Sequence, residues 1–355
     1  MLRLGVSARF IDFGSVGWDE WWGESSCLAR LRMTDRALAY SGAVISRLTF
    51  AIALVAVLLQ PGLRAQPFDS AQSRRQEPLP EALTQMVETE RAFAARALVV
   101  GWKQAFLEYF SYTAIGFDGG RPGNAREQVA KNPDPPKDLQ LIWEPRYGDV
   151  AANGELGYLT GPVRNVLPSR NNGQPRHSNY FSVWKRERDG LFKVVMDVGT
   201  QTPGPVPYAT GFTRAPHANR FTGDYDDTTP PLGTADRLLN TALRASQVRA
   251  YRNRLADGVR FHRQNALPVV GQAAALTWLA SQRSYSNAET QYAEAARSGD
   301  LGYTWGTYSI APPRAVVPQG SRGAPQKLDA QVGFYLRVWV RERNGQWKVA
   351  VDVLQ

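Results

Sequence analysis

The sequence writes one long stretch twice, and this repeat limits what the chain can fold into. "YFSVWKRERDGLFKVVMDVG", Tyr180 to Gly199, recurs as "YLRVWVRERNGQWKVAVDVL", Tyr335 to Leu354, 155 residues later. Upstream, "NGELGYLTGPV" from Asn153 returns as "SGDLGYTWGTY" from Ser298 at an offset of 145 residues, so the second copy carries ten extra residues between the two motifs. Units of about 120 residues are too long for solenoid repeats and long enough for separate cores. The repeat therefore predicts two tandem domains.

Each copy announces antiparallel strands. Asp189-Gly190 and Asn344-Gly345 are dipeptides that admit positive φ in a tight hairpin. Alternation on the C-terminal side predicts that Phe192, Val194, Met196 and Val198 share one face, with Lys193, Val195 and Asp197 on the other. Trp347, Val349, Val351 and Val353 repeat the pattern. The arginines beside these turns, Arg186, Arg188, Arg341 and Arg343, are expected at solvated strand ends. Helices precede the strands. Leu83, Met86, Val87, Glu90, Phe93 and Ala97 fall at helical spacing between Glu81 and Val100, "WKQAFLEYF" continues after Gly101, and Asn124 is the expected N-cap of "AREQVAK". In the second copy helices are expected over 234–256 and 271–282. Helices first and a curved antiparallel sheet afterwards define an α+β domain.

Residues 80–199 and 234–355 are thus the two domains, joined by a Pro/Gly/Thr-rich linker over 200–233 whose aromatics suggest that it lies on a domain surface. Before them, Leu48 to Leu59 is a twelve-residue apolar run preceded by arginines and followed by Ala65. This layout predicts a cleaved signal peptide over 33–65 and a linker over 66–79, with residues 1–32 a doubtful N-terminal extension and Met33 the expected start. The protein is then exported, periplasmic or extracellular, with no stable membrane insertion after cleavage. The single cysteine, Cys27, lies in the doubtful segment, so the mature chain relies on its cores rather than disulfides. Ten Trp, fourteen Tyr and fourteen Phe are material for such cores.

The net charge is +10, and removing 1–65 takes away seven basic and five acidic residues, leaving +8. The charges are scattered and often paired, which argues against nucleic acid as a partner. His177, His217 and His262 sit in unrelated contexts and predict no metal site, and no motif asks for a cofactor.

Taken together, "ETERAFAARA", "FSYTAIGFDGG", "LIWEPRYGDVAANGELGYLTG" and "YFSVWKRERDGLFKVVMDVG" resemble the nuclear-transport-factor-2-like superfamily. More narrowly they resemble its domain-of-unknown-function 4440 group, relatives of ketosteroid isomerase and SnoaL-like polyketide cyclases. The resemblance implies two cone-shaped, cystatin-like domains, each with helices closing a bent sheet around a mostly apolar pocket. It also implies dimerisation through the sheets, here as an intramolecular pseudo-dimer or a homodimer. The isomerase relatives abstract a proton with a carboxylate and hold the enolate with a tyrosine and a protonated aspartate. Carried across, the base falls at Asp118, the tyrosine position near Phe93 or Ala94, and the second donor near Ser182 in copy one and Arg337 in copy two.

The candidate catalytic residues are therefore Asp118 and Asp197. Asp118 also suits a turn in "FDGGRPGN", and Asp197, like Asp352, also suits an ion pair with a neighbouring Arg or Lys. Tyr158, Trp184 and Trp143 in copy one, with Tyr303 and Trp339 in copy two, are candidate ligand-lining residues that serve equally as core. Three functions follow: binding of a small apolar or aromatic molecule, an isomerase, cyclase or hydrolase using an Asp acid/base, or a structural assembly module.

Overall fold

The computed structural model describes residues 79–118, 121–169, 171–216, 220–222, 230–312 and 330–355. The expected signal peptide, N-terminal extension and preceding linker, as well as His217, lie outside these residues.

The first domain begins with α1 (Glu81–Val100) and α2 (Trp102–Tyr109), separated by Gly101, followed by β1 (Phe110–Asp118), β2 (Arg121–Asn124) and α3 (Ala125–Lys131). The buried face of α1 comprises the six residues that its periodicity marks, Glu90 among them. Asn124 caps α3 by accepting from the Glu127 amide. Strands β3 (Gln140–Trp143), β4 (Tyr147–Val150), β5 (Leu156–Val166), β6 (Arg176–Arg186) and β7 (Phe192–Gln201) complete the domain. The linker carries β8 (Thr213–Arg214), which adds to the edge of β4. The sheet runs β2-β1-β7-β6-β5-β4-β8, and β3 also pairs with β5.

The second domain consists of α4 (Leu232–Leu243), α5 (Gln247–Tyr251), β9 (Leu255–His262), β10 (Val269–Val270), α6 (Gln272–Ala280), β11 (Tyr285–Ala295), β12 (Leu301–Ile310), β13 (Gln331–Arg341) and β14 (Trp347–Leu354). The single helix expected over 234–256 is two helices and the start of a strand. Ser246 caps α5 after the break, accepting from the Arg249 amide. Strand order β9-β14-β13-β12 repeats β1-β7-β6-β5, including the parallel pairing of β9 with β14 and of β1 with β7. Close approach of helix to sheet recurs as well. A Cβ at Gly157 would lie 2.7 Å from Met86 Cε, and one at Gly302 would lie 2.5 Å from Leu232 Cδ2. Both hairpins turn on a glycine at positive φ, 84° at Gly190 and 81° at Gly345.

One expectation fails in both copies for the same reason. Register shifts between Val183 and Trp184 opposite β7, where Val195 is the extra residue, and between Val338 and Trp339 opposite β14, where Ala350 is. These are β-bulges, and they reset the alternation. Phe192 and Val194 pack under the helices of their domain, whereas Val195, Met196 and Val198 face the second sheet. Trp347 and Val349 likewise face helices, while Ala350, Val351 and Val353 face the first sheet. The bulges thus direct Asp197 and Asp352 to the helix side, into the cones. Lys193, expected on the face of Asp197, instead donates to the Glu108 carbonyl.

The outer faces of the two sheets pack together in one cluster that includes Tyr158, Phe181 and Val183 from the first and Tyr303, Trp305 and Leu336 from the second. Phe117 stacks on Phe334 with ring centroids 3.5 Å apart. Linker residue Arg220 pairs with Asp149 of the first domain and Asp300 of the second, both buried. Arg341, expected at a solvated strand end, is 1% exposed because Phe221 of the linker covers it.

Candidate functional site

A cavity of about 190 Å³ opens inside the first cone, between the helices and the bent sheet. Its walls are mainly aromatic and aliphatic: Trp102 and Phe106 from α2, Phe117 from β1, Trp143 from β3 and Val163 from β5. Its polar groups are Asp197 on β7, Tyr180 and Ser178 on β6, Asn165 on β5, Gln128 on α3 and Asn132 just after α3. The Tyr180 and Ser178 hydroxyls are buried without a hydrogen-bond partner among the described residues.

Asp197 lines this cavity, and no side chain among the described residues donates a hydrogen bond to it. Burial pushes its carboxyl well above the usual carboxylate range, and the nearby Glu90 carboxylate adds to the rise. Glu90 projects from α1 behind the Trp143 wall and is fully buried. Its two oxygens accept the indole N–H groups of Trp143 at 2.6 Å and Trp184 at 2.9 Å. Burial raises Glu90 to about 7, although the two indole bonds pull the other way.

In the second cone the last strand's acid lies in a buried charge network. Arg337, on β13 directly opposite Asp352, is 0% exposed. It donates through Nε to Asp352 at 2.8 Å and through Nη1 to Asp236 at 2.7 Å. Arg263 and the Tyr251 hydroxyl complete the shell of Asp352, at 2.7 and 2.6 Å. Burial alone would raise Asp352, but Arg263 and Arg337 hold its carboxyl below the usual range. Asp236 is the counterpart of Glu90, one turn beyond the residue that covers Gly302 as Glu90 is one turn beyond the residue that covers Gly157. Ser182 stands opposite Asp197 where Arg337 stands opposite Asp352. Phe106 stands four residues before the first strand's pairing with β7, as Tyr251 does before the pairing with β14. Strand register also sets Asp118 against Arg263, each three residues past a matched pair.

Of the residues singled out by sequence, Trp143 and Asp197 come together on the cavity. Trp184 lies in the core beneath α1, bonded to Glu90. Tyr158 and Tyr303 face the opposite way, in the layer between the sheets, where Tyr303 donates to Glu294 at 3.2 Å. Trp339 is in the second core, its indole donating to Thr304 at 2.9 Å. Asp118 ends β1 paired with Arg121, and its side chain lies outside the described residues. Glu90 carried no assignment from sequence. Its signal was an acid at a core position of an amphipathic helix.

No family profile matches this sequence, and no curated protein is significantly similar to it. Solved structures similar to part of it are nuclear-transport-factor-2-like proteins and their relatives. One, a conserved protein from Planctomyces limnophilus, is 20% identical over 34% of this chain and 88% of its own, with a TM-score of 0.27. An NTF2-like protein from Cytophaga hutchinsonii is 16% identical over 34% of this chain and 92% of its own, with a TM-score of 0.26. An NTF2-like protein with a cystatin-like fold from Novosphingobium aromaticivorans is 10% identical over 35% of this chain and 77% of its own, with a TM-score of 0.26.

Proposed function

We propose that this is an exported protein of two tandem ketosteroid-isomerase-like domains of the domain-of-unknown-function 4440 group, arranged as an internal pseudo-dimer. In this reading the first domain binds a small, mostly apolar or aromatic molecule and the second serves as its structural partner. The observation that carries the reading is the contrast between the cones. The first holds an aromatic-walled cavity with few polar groups, the usual composition of a small-molecule site. In the second the last strand's acid lies in the Arg337 network. Repeated strand order and the layer between the sheets support the pseudo-dimer.

A second reading, an acid/base enzyme, is favoured by the convergence of Asp197 with the unpartnered Tyr180 and Ser178 hydroxyls on one cavity. Asp118, with its place at the end of β1, remains the alternative acid in that reading. Native mass spectrometry of protein purified from its source tests the first reading, with one retained small molecule per chain the expected result. An Asp197→Asn variant that retains the molecule but no longer converts it would select the enzyme. A molecule that the unaltered protein itself leaves unconverted would select binding alone, whether or not the variant retains it.

A further inference from the structure

The second cone displays how this scaffold satisfies the buried acid of its last strand. Asp352 receives Arg337 from the facing strand, and that guanidinium lies 3.9 Å over the Tyr335 ring. In the first cone the same acid and the same ring are present as Asp197 and Tyr180, and Glu90 takes the place of Asp236. The donors to that acid are missing: Phe106 stands where Tyr251 would and Asp118 where Arg263 would. Ser182 stands where Arg337 would, and no Lys, Arg or His is among the residues lining the cavity. Glu90 is already engaged by two indole N–H groups, so an incoming cation would meet Asp197.

We propose that the first cone takes an organic cation, an amine with an apolar body, whose charged head pairs with Asp197 against the Tyr180 ring while the body fills the aromatic walls. The inference rests on the small-molecule reading above and names its ligand class. An aromatic enclosure with one carboxylate suits such a ligand, since ring faces attract cations and the carboxylate supplies the counter-charge. Burial and Glu90 on α1 disfavour ionisation of Asp197, and Asp197 in turn disfavours ionisation of Tyr180 on β6. Below its raised pKa Asp197 is protonated in the ligand-free site, and an ammonium ion entering there forms the ion pair and releases one proton to solvent. Affinity for the amine then rises with pH, by at most about tenfold per unit, until the free amine itself loses its proton. A neutral ligand shows no such slope.

Calorimetric titration of the intact chain with phenethylamine, its neutral isostere phenethyl alcohol and the ketone 4-phenylbutan-2-one tests this at about pH 6 and about pH 8. The expected result is a preference of about tenfold or more for the amine at the higher pH, with proton release, and its loss in Asp197→Asn. Equal or tighter binding of the alcohol or the ketone would overturn the cation and leave the small-molecule reading standing. Failure of all three probes to bind would overturn both. Should Asp197→Asn not fold, the amine-to-alcohol ratio and the pH slope of the unaltered protein decide alone.

Discussion

Glu90 is a buried acid whose two oxygens accept indole N–H groups. A fully buried carboxyl without a cation holds its proton more tightly folded than unfolded, and here burial lifts it from 4.5 to about 7. The sign follows from linkage. Below about pH 4.5 the group is protonated in both states, and as pH rises towards about 7 only the folded state stays protonated. Stability contributed by the bound proton is therefore lost as pH rises through this window. Glu90→Gln removes that dependence at the cost of one mismatched indole contact. Urea unfolding across this range should show the variant gaining on the unaltered protein as pH rises, by up to about 3 kcal/mol. A constant difference would mean that Glu90 does not titrate there. Neither Trp143 nor Trp184 marks Glu90 as a partner in sequence, because they lie 53 and 94 residues away.

At the scale of elements, the hairpins and the first helix were legible, because their determinants are local. Asp-Gly and Asn-Gly specify the turns, and apolar spacing specifies which face of α1 is buried. Two turn glycines should respond differently to substitution. Gly190 has φ 84° and no atom near its missing Cβ, so Gly190→Ala carries only the left-handed backbone strain, about 1–2 kcal/mol. Gly154 has φ 71° and would set its Cβ 2.8 Å from Ala82 Cβ, so Gly154→Ala adds a clash with α1 and should cost more. Equilibrium denaturation of the two variants checks the order. The bulges at Val195 and Ala350 were not legible, since an extra residue in a ladder is defined by the facing strand. Strict alternation therefore placed Asp197 and Asp352 on the wrong face, and the bulge turns each into its cone.

At the scale of the whole molecule, the two sheets cover each other's outer faces and the linker fastens them. Arg220 is 9% exposed and neutralises Asp149 and Asp300 together, while Arg214 also reaches Asp149 at 2.8 Å. Arg220→Ala would leave Asp300, among the described residues, with its hydrogen bonds from the Ala152 amide and the Ser298 hydroxyl. Removing one partner of a buried pair costs about 3–5 kcal/mol. The variant should unfold at correspondingly lower denaturant, and an unchanged midpoint would show that the Arg220 pairs add nothing to the joined domains. The same construction explains why the repeat says so little about function. Tyr158 and Tyr303 recur because both sheets bury that face against each other, whereas much of the cavity wall, Phe106 and Trp143 among it, differs between the copies. The sequence alone determined the α+β class, the hairpin turns and the buried face of the first helix, because these depend on residues a few positions apart. Only the tertiary structure decided that Asp352 meets Arg337 and Arg263 while Asp197 faces an open cavity. That outcome depends on strand register and on whether a serine or an arginine stands across the ladder, and it emerges only when distant segments are brought into contact.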